Sequence, residues 1–199
     1  YFEEGGNQYL VMEYVQGETL EKRLERTGGP LPEPLVRKVA DQLCDVLDYL
    51  HRRQPPIIFR DLKPANIMLQ ADDKVKLIDF GIARHFKPGK SKDTQAMGTP
   101  GYAAPEQYGK GQSDQRTDIY ALGAVLHHML TGRDPAQDPF QFAAPRSLNP
   151  VLSSSIDKAV TQAVDIDPNR RWQSVRELRS LLQGATGQTL VSTFPAPAQ

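Results

Sequence analysis

Apolar residues recur at helical spacing along much of the chain. Between Leu35 and Leu50 they return every three or four positions, which predicts one long amphipathic helix. The stretch 117–132 is apolar on several sides, as is typical of a helix buried in the centre of a domain. Three further stretches predict shorter helices on the same grounds: 17–26, 153–166 and 173–183.

Strands are predicted in only two places. The Tyr- and Val-rich stretch 7–15 follows a pair of glycines that marks a turn, so it predicts a strand. The run "KVKLIDF" (74–80) predicts a second, shorter strand that ends at Gly81. Between 132 and 152, four prolines exclude a long helix. The predicted fold class is therefore α+β, mainly helical with a few short strands.

Composition and charge exclude several classes of function and partner. The 199 residues are enough for one domain with a core. Lys plus Arg and Asp plus Glu number 24 each, so no net positive charge attracts nucleic acid or an anionic membrane. The single cysteine, Cys44, excludes a disulfide framework within the chain, and no apolar run is long enough to cross a bilayer. We therefore expect a cytoplasmic location and no nucleic-acid partner, with membrane attachment only through a segment following residue 199.

The candidate chemistry lies in two short polar clusters. Within "PPIIFRDLKPANIML" (55–69), Asp61, Lys63 and Asn66 stand between two apolar runs. Asp79 follows eighteen positions after Asp61, at the end of the second predicted strand. A turn between strands could bring the clusters together, and the oxygens of Asn66 and Asp79 would then suit Mg²⁺. Asp61 could accept a hydroxyl proton, and Lys63 could neutralise charge on a phosphoryl group. Phosphoryl transfer needs this combination of groups.

Simpler interpretations stay open for each residue taken alone. Asp61 and Lys63 could form an exposed ion pair that contributes about 0–1 kcal/mol. Asn66 could cap a turn, and Asp79 could be a turn residue before Gly81. The presence of both clusters in one chain favours the catalytic interpretation.

Six motifs resemble, in order and spacing, those of the eukaryotic-type serine/threonine protein kinases found in bacteria. "FRDLKPANIML" resembles the catalytic loop, "DFG" the magnesium loop, and "GTPGYAAPE" the end of the activation segment. "TDIYALG" is similar to the start of the central buried helix, "DPNRRW" to the final Arg motif, and "LVMEYVQGETL" to the hinge between lobes. The resemblance covers residues 7–183.

This resemblance implies a protein-kinase-like α+β fold. It implies a remnant of the N-terminal lobe with the hinge over 1–15, a mainly helical C-terminal lobe over 16–183, and a linker or disordered tail over 184–199. The implied activity is transfer of the γ-phosphoryl group of ATP to Ser or Thr of protein substrates. Mg²⁺ would be the metal cofactor, with Mn²⁺ as an alternative.

The resemblance also implies roles for individual residues. Asp61 would be the catalytic base, Lys63 the cation beside the phosphate, and Thr99 the bridge between them beneath the substrate. Asn66 and Asp79 would bind the metal and, through it, the nucleotide. The remaining implied residues are Met12 as gatekeeper, the backbone of Glu13 and Val15 at adenine, Met68 beneath it, Glu18 at the ribose, Phe59 packed on Phe80, Glu106 paired with Arg171, and Asp118 on the catalytic-loop backbone.

The sequence departs from the family pattern in three places. Phe59 stands where the family has His, which we expect to keep the packing and lose a hydrogen bond. No G-x-G-x-x-G occurs and no Lys precedes Met12, so two phosphate-binding parts are absent from these residues. We therefore expect an incomplete chain, inactive on its own; a non-catalytic, pseudokinase-like scaffold or protein-binding module is the alternative. The family's substrate-docking helix is expected to be short or absent within 133–150.

Regulation by phosphorylation is the last implication of the resemblance. Arg60 and Arg84 would form a basic pocket for a phosphate on the activation segment. Ser91 and Thr94 are the available acceptors.

Overall fold

The computed structural model describes residues 1–9, 11–79, 98–109 and 111–183, together with the backbone of 84 and 85. Its helices are α1 (Leu20–Thr27), α2 (Glu33–His51), α3 (Gln115–Thr131), α4 (Pro145–Leu148), α5 (Ser154–Ala163) and α6 (Val175–Leu182). Its strands are β1 (Phe2–Glu4), β2 (Asn7–Tyr9), β3 (Glu18–Thr19), β4 (Ile57–Ile58), β5 (Ile67–Leu69), β6 (Val75–Leu77) and β7 (Arg84–His85).

Helix α3 is the centre of the core. Almost every residue from Thr117 to Leu130 is buried, including the charged side chain of Asp118. Asp114 caps the start of the helix, where its side chain accepts the backbone N–H of Arg116, and Gly132 caps the end. Helices α2, α5 and α6 surround α3 and bury their apolar faces against it. Because α3 is buried on all sides, it can present residues to the loop 59–66, which carries the first polar cluster, from a fixed position.

Three small antiparallel sheets position the polar clusters. Strands β3, β5 and β6 form one sheet, in which Ile67 pairs with Leu77. Strands β4 and β7 form a second sheet, and β1 and β2 an exposed hairpin. The catalytic-loop sequence therefore runs from the end of β4 to the start of β5, and Asp79 follows the end of β6. Because β5 and β6 are antiparallel, the start of β5 and the end of β6 lie at the same edge.

The observed elements confirm most of the predicted pattern. The long helix, the buried central helix and the shorter helices all form within a few residues of their predicted bounds. The stretch 133–150 contains only the single turn of α4, as the prolines predicted. Of the strand predicted over 7–15, Asn7–Tyr9 form β2, which pairs with the three residues of β1. The prediction is wrong over 11–15, which are not a strand. Within the described ranges, no helix is long and apolar enough to cross a membrane.

Candidate active site

Asp118 holds the backbone just before the first polar cluster. Its carboxylate accepts the N–H groups of Phe59 at 2.9 Å and Arg60 at 2.8 Å. Arg60 has a φ of 71°, a left-handed conformation that non-glycine residues rarely adopt. Two hydrogen bonds to a buried charge can stabilise such a strained turn. The turn immediately before Asp61 is therefore fixed by the central helix.

Two residues outside the predicted set support this turn. His51, the last residue of α2, is buried with its Nε2 2.8 Å from Asp118 Oδ2. Gln107 is fully buried, and its side-chain amide donates to the carbonyl of Arg60 at 2.8 Å. Sequence reasoning missed both, because each contact joins residues at least 47 positions apart. The only signal was a polar residue at the buried end of an amphipathic helix.

Asp61, Lys63 and Thr99 form a closed triangle of polar contacts. Lys63 Nζ lies 3.0 Å from Asp61 Oδ2 and donates to Thr99 Oγ1 at 3.0 Å. The Thr99 hydroxyl in turn donates to Asp61 Oδ1 at 3.0 Å. Asn66 Nδ2 donates to the carbonyl and to Oδ2 of Asp61, both at 2.9 Å. The structure thus brings together four of the predicted site residues and holds one carboxylate in place from several sides.

Asp79 lies at the same edge of the small sheet. The N–H of Ile78 donates to the carbonyl of Asn66 at 3.0 Å, which extends the β5–β6 ladder by one pair. Asp79, the next residue, is exposed and has a φ of 61°. The two clusters that are separated by eighteen positions in the sequence therefore meet at the end of one strand pair.

The residues at this edge fit a magnesium ion. Asn66 Nδ2 is engaged by Asp61, and no hydrogen bond in the described part of the chain engages Asn66 Oδ1. That oxygen and the carboxylate of Asp79 are hard donors of the kind that Mg²⁺ binds. No cluster of three His, Cys, Asp or Glu side chains occurs among the described residues. A cation here would therefore keep several positions for water or phosphate oxygens, as Mg²⁺ commonly does.

The segment that carries Thr99 is anchored to the core by a buried ion pair. Glu106 accepts two parallel hydrogen bonds from the guanidinium of Arg171, at 2.8 and 3.0 Å. The hydroxyl of Thr117 donates to the same carboxylate at 2.8 Å. The guanidinium also lies over the ring of Tyr120, 4.8 Å from its centroid. The pairing of Glu106 with Arg171 that the family resemblance implies is therefore present.

The residues predicted to bind the nucleotide are more dispersed. Met68 lies on β5 and is half-buried, as is Val15, whereas Met12 is 71% exposed. The carboxylate of Glu13 pairs with Lys76 at 2.6 Å. Glu18 binds two guanidinium groups, which lower the pKa of its carboxyl. A ribose hydroxyl would share that carboxylate with both arginines, and the adenine and ribose contacts stay predictions.

The regulatory residues are described only in part. Arg60 is buried, and its Nε donates to the Ser113 hydroxyl at 3.2 Å. For Arg84 the structure gives the backbone alone, which pairs with Ile58. The two predicted phosphate acceptors, Ser91 and Thr94, lie outside the described residues. So does Phe80, the predicted packing partner of Phe59.

Comparison with known proteins gives consistent matches. A sequence model described as "Protein kinase domain" matches residues 1–183. The chain is 37% identical over 194 residues to the serine/threonine-protein kinase PknB of Mycobacterium leprae, covering 90% of this chain and 31% of that protein. The PknB of Mycobacterium tuberculosis is also 37% identical, over 186 residues that cover 86% of this chain and 29% of that protein. A probable serine/threonine-protein kinase of Clostridium acetobutylicum is 34% identical over 187 residues, covering 88% of this chain and 28% of that protein. The chain thus spans less than a third of the length of these curated relatives.

Proposed function

Because the chain belongs to the protein kinase domain family, we propose that it supplies the catalytic C-terminal lobe of a serine/threonine protein kinase. The whole protein would transfer the γ-phosphoryl group of ATP to Ser or Thr hydroxyls of protein substrates. The observation that carries this proposal is the triangle of Asp61, Lys63 and Thr99 beside the two candidate metal ligands.

Asp61 is the group that would receive the substrate proton. Its Oδ1 already accepts a hydroxyl hydrogen bond from Thr99 at 3.0 Å, so the carboxylate can accept a hydroxyl in this geometry. The Asn66 amide and the Lys63 ammonium hold the other oxygen, which fixes the orientation of the base. A base at a fixed orientation typically contributes about 10²–10⁴-fold to a rate.

Lys63 and the metal site would stabilise the charge of the phosphoryl group. The ammonium of Lys63 lies within reach of both Asp61 and Thr99, where an acceptor hydroxyl and the transferred group would meet. Asn66 and Asp79 would hold Mg²⁺, which when bound neutralises phosphate oxygens. The names of the relatives, all serine/threonine kinases, support this acceptor class.

The decisive experiment compares Asp61→Asn with a matched aspartate variant in the full-length protein. Asp72→Asn is the control, because the side chain of Asp72 is 60% exposed and pairs with that of Lys74, which is 71% exposed. We expect Asp61→Asn to lower kcat by about 10²-fold or more with an unchanged circular dichroism spectrum. Asp72→Asn should match the unaltered protein. Turnover by Asp61→Asn at the rate of the control would refute the assignment.

We also propose that residues 1–199 transfer little phosphate by themselves. The support is their lack of a G-x-G-x-x-G loop and of a strand Lys, which would bind the α- and β-phosphates. Autophosphorylation with labelled ATP should therefore be strong for the full-length protein and weak for these 199 residues. The same assay separates the scaffold alternative, which requires a full-length protein that also fails to transfer phosphate.

A further inference from the structure

A groove of about 410 Å³ opens beside the catalytic triangle. Thr99 belongs to its lining, as does Pro64, which follows Lys63 in the catalytic loop. Helix α1 forms one wall, and the C-terminal end of α3 with the loop after it forms the other. One end of the groove therefore adjoins the position where an acceptor hydroxyl would meet Asp61.

The floor of this α1–α3 groove is fixed by close contacts. Gly101 has a φ of 85°, and a Cβ there would lie 2.4 Å from backbone atoms of the loop that begins after Gly132. The hydroxyl of Tyr102 lies 2.7 Å from His128 Nδ1 at the end of α3. These contacts join the Thr99 segment to the far wall, so the groove is a pre-formed feature rather than a gap between independent loops.

The walls of the groove are acidic. Glu21 and Glu25 lie one turn apart on α1, and Asp134 faces them from the loop after α3. Like charges at this spacing destabilise a helix by about 0.2–0.5 kcal/mol. Within the described part of the chain, neither glutamate has an ion-pair partner. Helix α1 therefore carries, on the face that borders the groove, two carboxylates without an ion-pair partner among the described residues.

The field of these carboxylates extends to the groove floor. Burial raises the pKa of the Tyr102 hydroxyl, and the negative charges of Asp134 and Glu21 raise it further. Burial lowers the pKa of His128, although Asp134 opposes this shift, so His128 adds no positive charge at neutral pH. Among the described residues that line the groove, none is Lys or Arg. A cleft lined by one sign of charge focuses its field on whatever binds within it.

We propose that the α1–α3 groove binds a Lys or Arg side chain of the protein substrate, close in sequence to the acceptor Ser or Thr. The aliphatic stem would pack on Leu24 and Pro64, and the cationic head would reach Glu21 and Glu25. This inference rests on the proposed kinase function, and it makes the two glutamates specificity-determining residues for that reaction.

The test uses the full-length protein and synthetic acceptor peptides that differ at one position. Each peptide carries Arg, Ala or Glu at one site near the acceptor. The set covers every flanking site in turn. At one of these placements we expect kcat/KM for the Arg peptide to exceed that for the Ala peptide about tenfold, the effect of two partly screened charge pairs. The ratio should fall as salt is raised.

Matched variants then assign the effect to the groove. The double variant Glu21→Gln/Glu25→Gln should bring the Arg/Ala ratio close to one. Glu4→Gln, an exposed glutamate on the β1–β2 hairpin, should leave the ratio unchanged. Equal rates for Arg and Ala peptides at every placement, or an Arg preference that survives the double variant, would overturn the proposal.

Failure of the kinase assignment would look different from failure of this inference. If neither the peptides nor the full-length protein itself is phosphorylated, the proposed function fails, and binding of the fluorescein-labelled peptides measured by anisotropy decides the groove separately. Tighter binding of the Arg peptide that disappears in the double variant would support the groove. Equal affinity for Arg and Ala peptides would overturn it.

Discussion

Breaking the buried pair of Glu106 and Arg171 should be among the most destabilising single changes in this chain. The Arg171 side chain is fully buried and that of Glu106 is 10% exposed, so removing one partner leaves the other charge without water to solvate it. Loss of one partner of such a pair typically costs about 3–5 kcal/mol. Because a domain is stable by only about 5–15 kcal/mol, this loss would be a large share of the total.

The contacts around the pair predict which of two substitutions, Glu106→Gln or Arg171→Met, costs more stability. In Glu106→Gln, the guanidinium still donates to the carbonyls of Asp165, Ile166 and Arg116, so we expect the lower end of that range, about 3 kcal/mol. In Arg171→Met, the hydroxyl of a neighbouring threonine would be the one hydrogen-bond donor left to the carboxylate within the described part of the chain, and we expect about 4–5 kcal/mol.

Urea unfolding followed by circular dichroism and by tryptophan fluorescence measures both losses. Trp172 is the only tryptophan, follows Arg171 directly, and donates to the carbonyl of Ala159 at 2.9 Å, so its emission reports on this region. Arg176→Gln is the control, because Arg176 is 62% exposed and its pair with Asp48 should contribute about 0–1 kcal/mol. The reasoning is wrong if Glu106→Gln costs no more than this control.

Three further predictions concern the site and its surroundings. Gly101→Ala should destabilise the chain by more than Gly109→Ala, since both have a positive φ but only the first would place a Cβ against backbone; thermal unfolding decides the order. Thr99→Val should lower kcat of the full-length protein with unchanged secondary structure, whereas Thr99→Ser, which keeps the hydroxyl, should retain more activity. Burial lowers the pKa of His127 and His128, so both are neutral when folded and take up protons on unfolding. Stability should therefore fall as pH drops below about 6.5, and an unfolding free energy that rises on acidification would contradict this.

The helical core could be read from the sequence because its signal is local. The spacing of apolar residues predicted α2 and α3 within a few residues, and the prolines after Gly132 predicted the lack of a long helix there. The strand predicted over 7–15 is wrong over 11–15, since strand formation depends on a partner strand and not on composition alone.

The candidate site was predictable in its residues and not in its surroundings. Asp61, Lys63 and Asn66 are close in sequence, and the resemblance to a family supplied Thr99 as their partner. His51 and Gln107 could not be predicted, because their hydrogen bonds depend on packing between distant elements. No local sequence pattern marks Glu21 and Glu25 for a role, and only the fold shows that they border a groove beside Thr99.

Because of the strained turn at Arg60, the geometry of the loop that carries Asp61 depends on the stability of the whole core. Its backbone is held by Asp118, which belongs to a helix with almost no exposed surface, so the turn has no support of its own outside the assembled core. Local opening of the catalytic loop would break both backbone hydrogen bonds that Asp118 accepts and leave a carboxylate inside the core without these partners, so the packed core opposes it. Molecules with a loosened interior would lose the base geometry at the same moment, so phosphate transfer would be confined to fully folded copies.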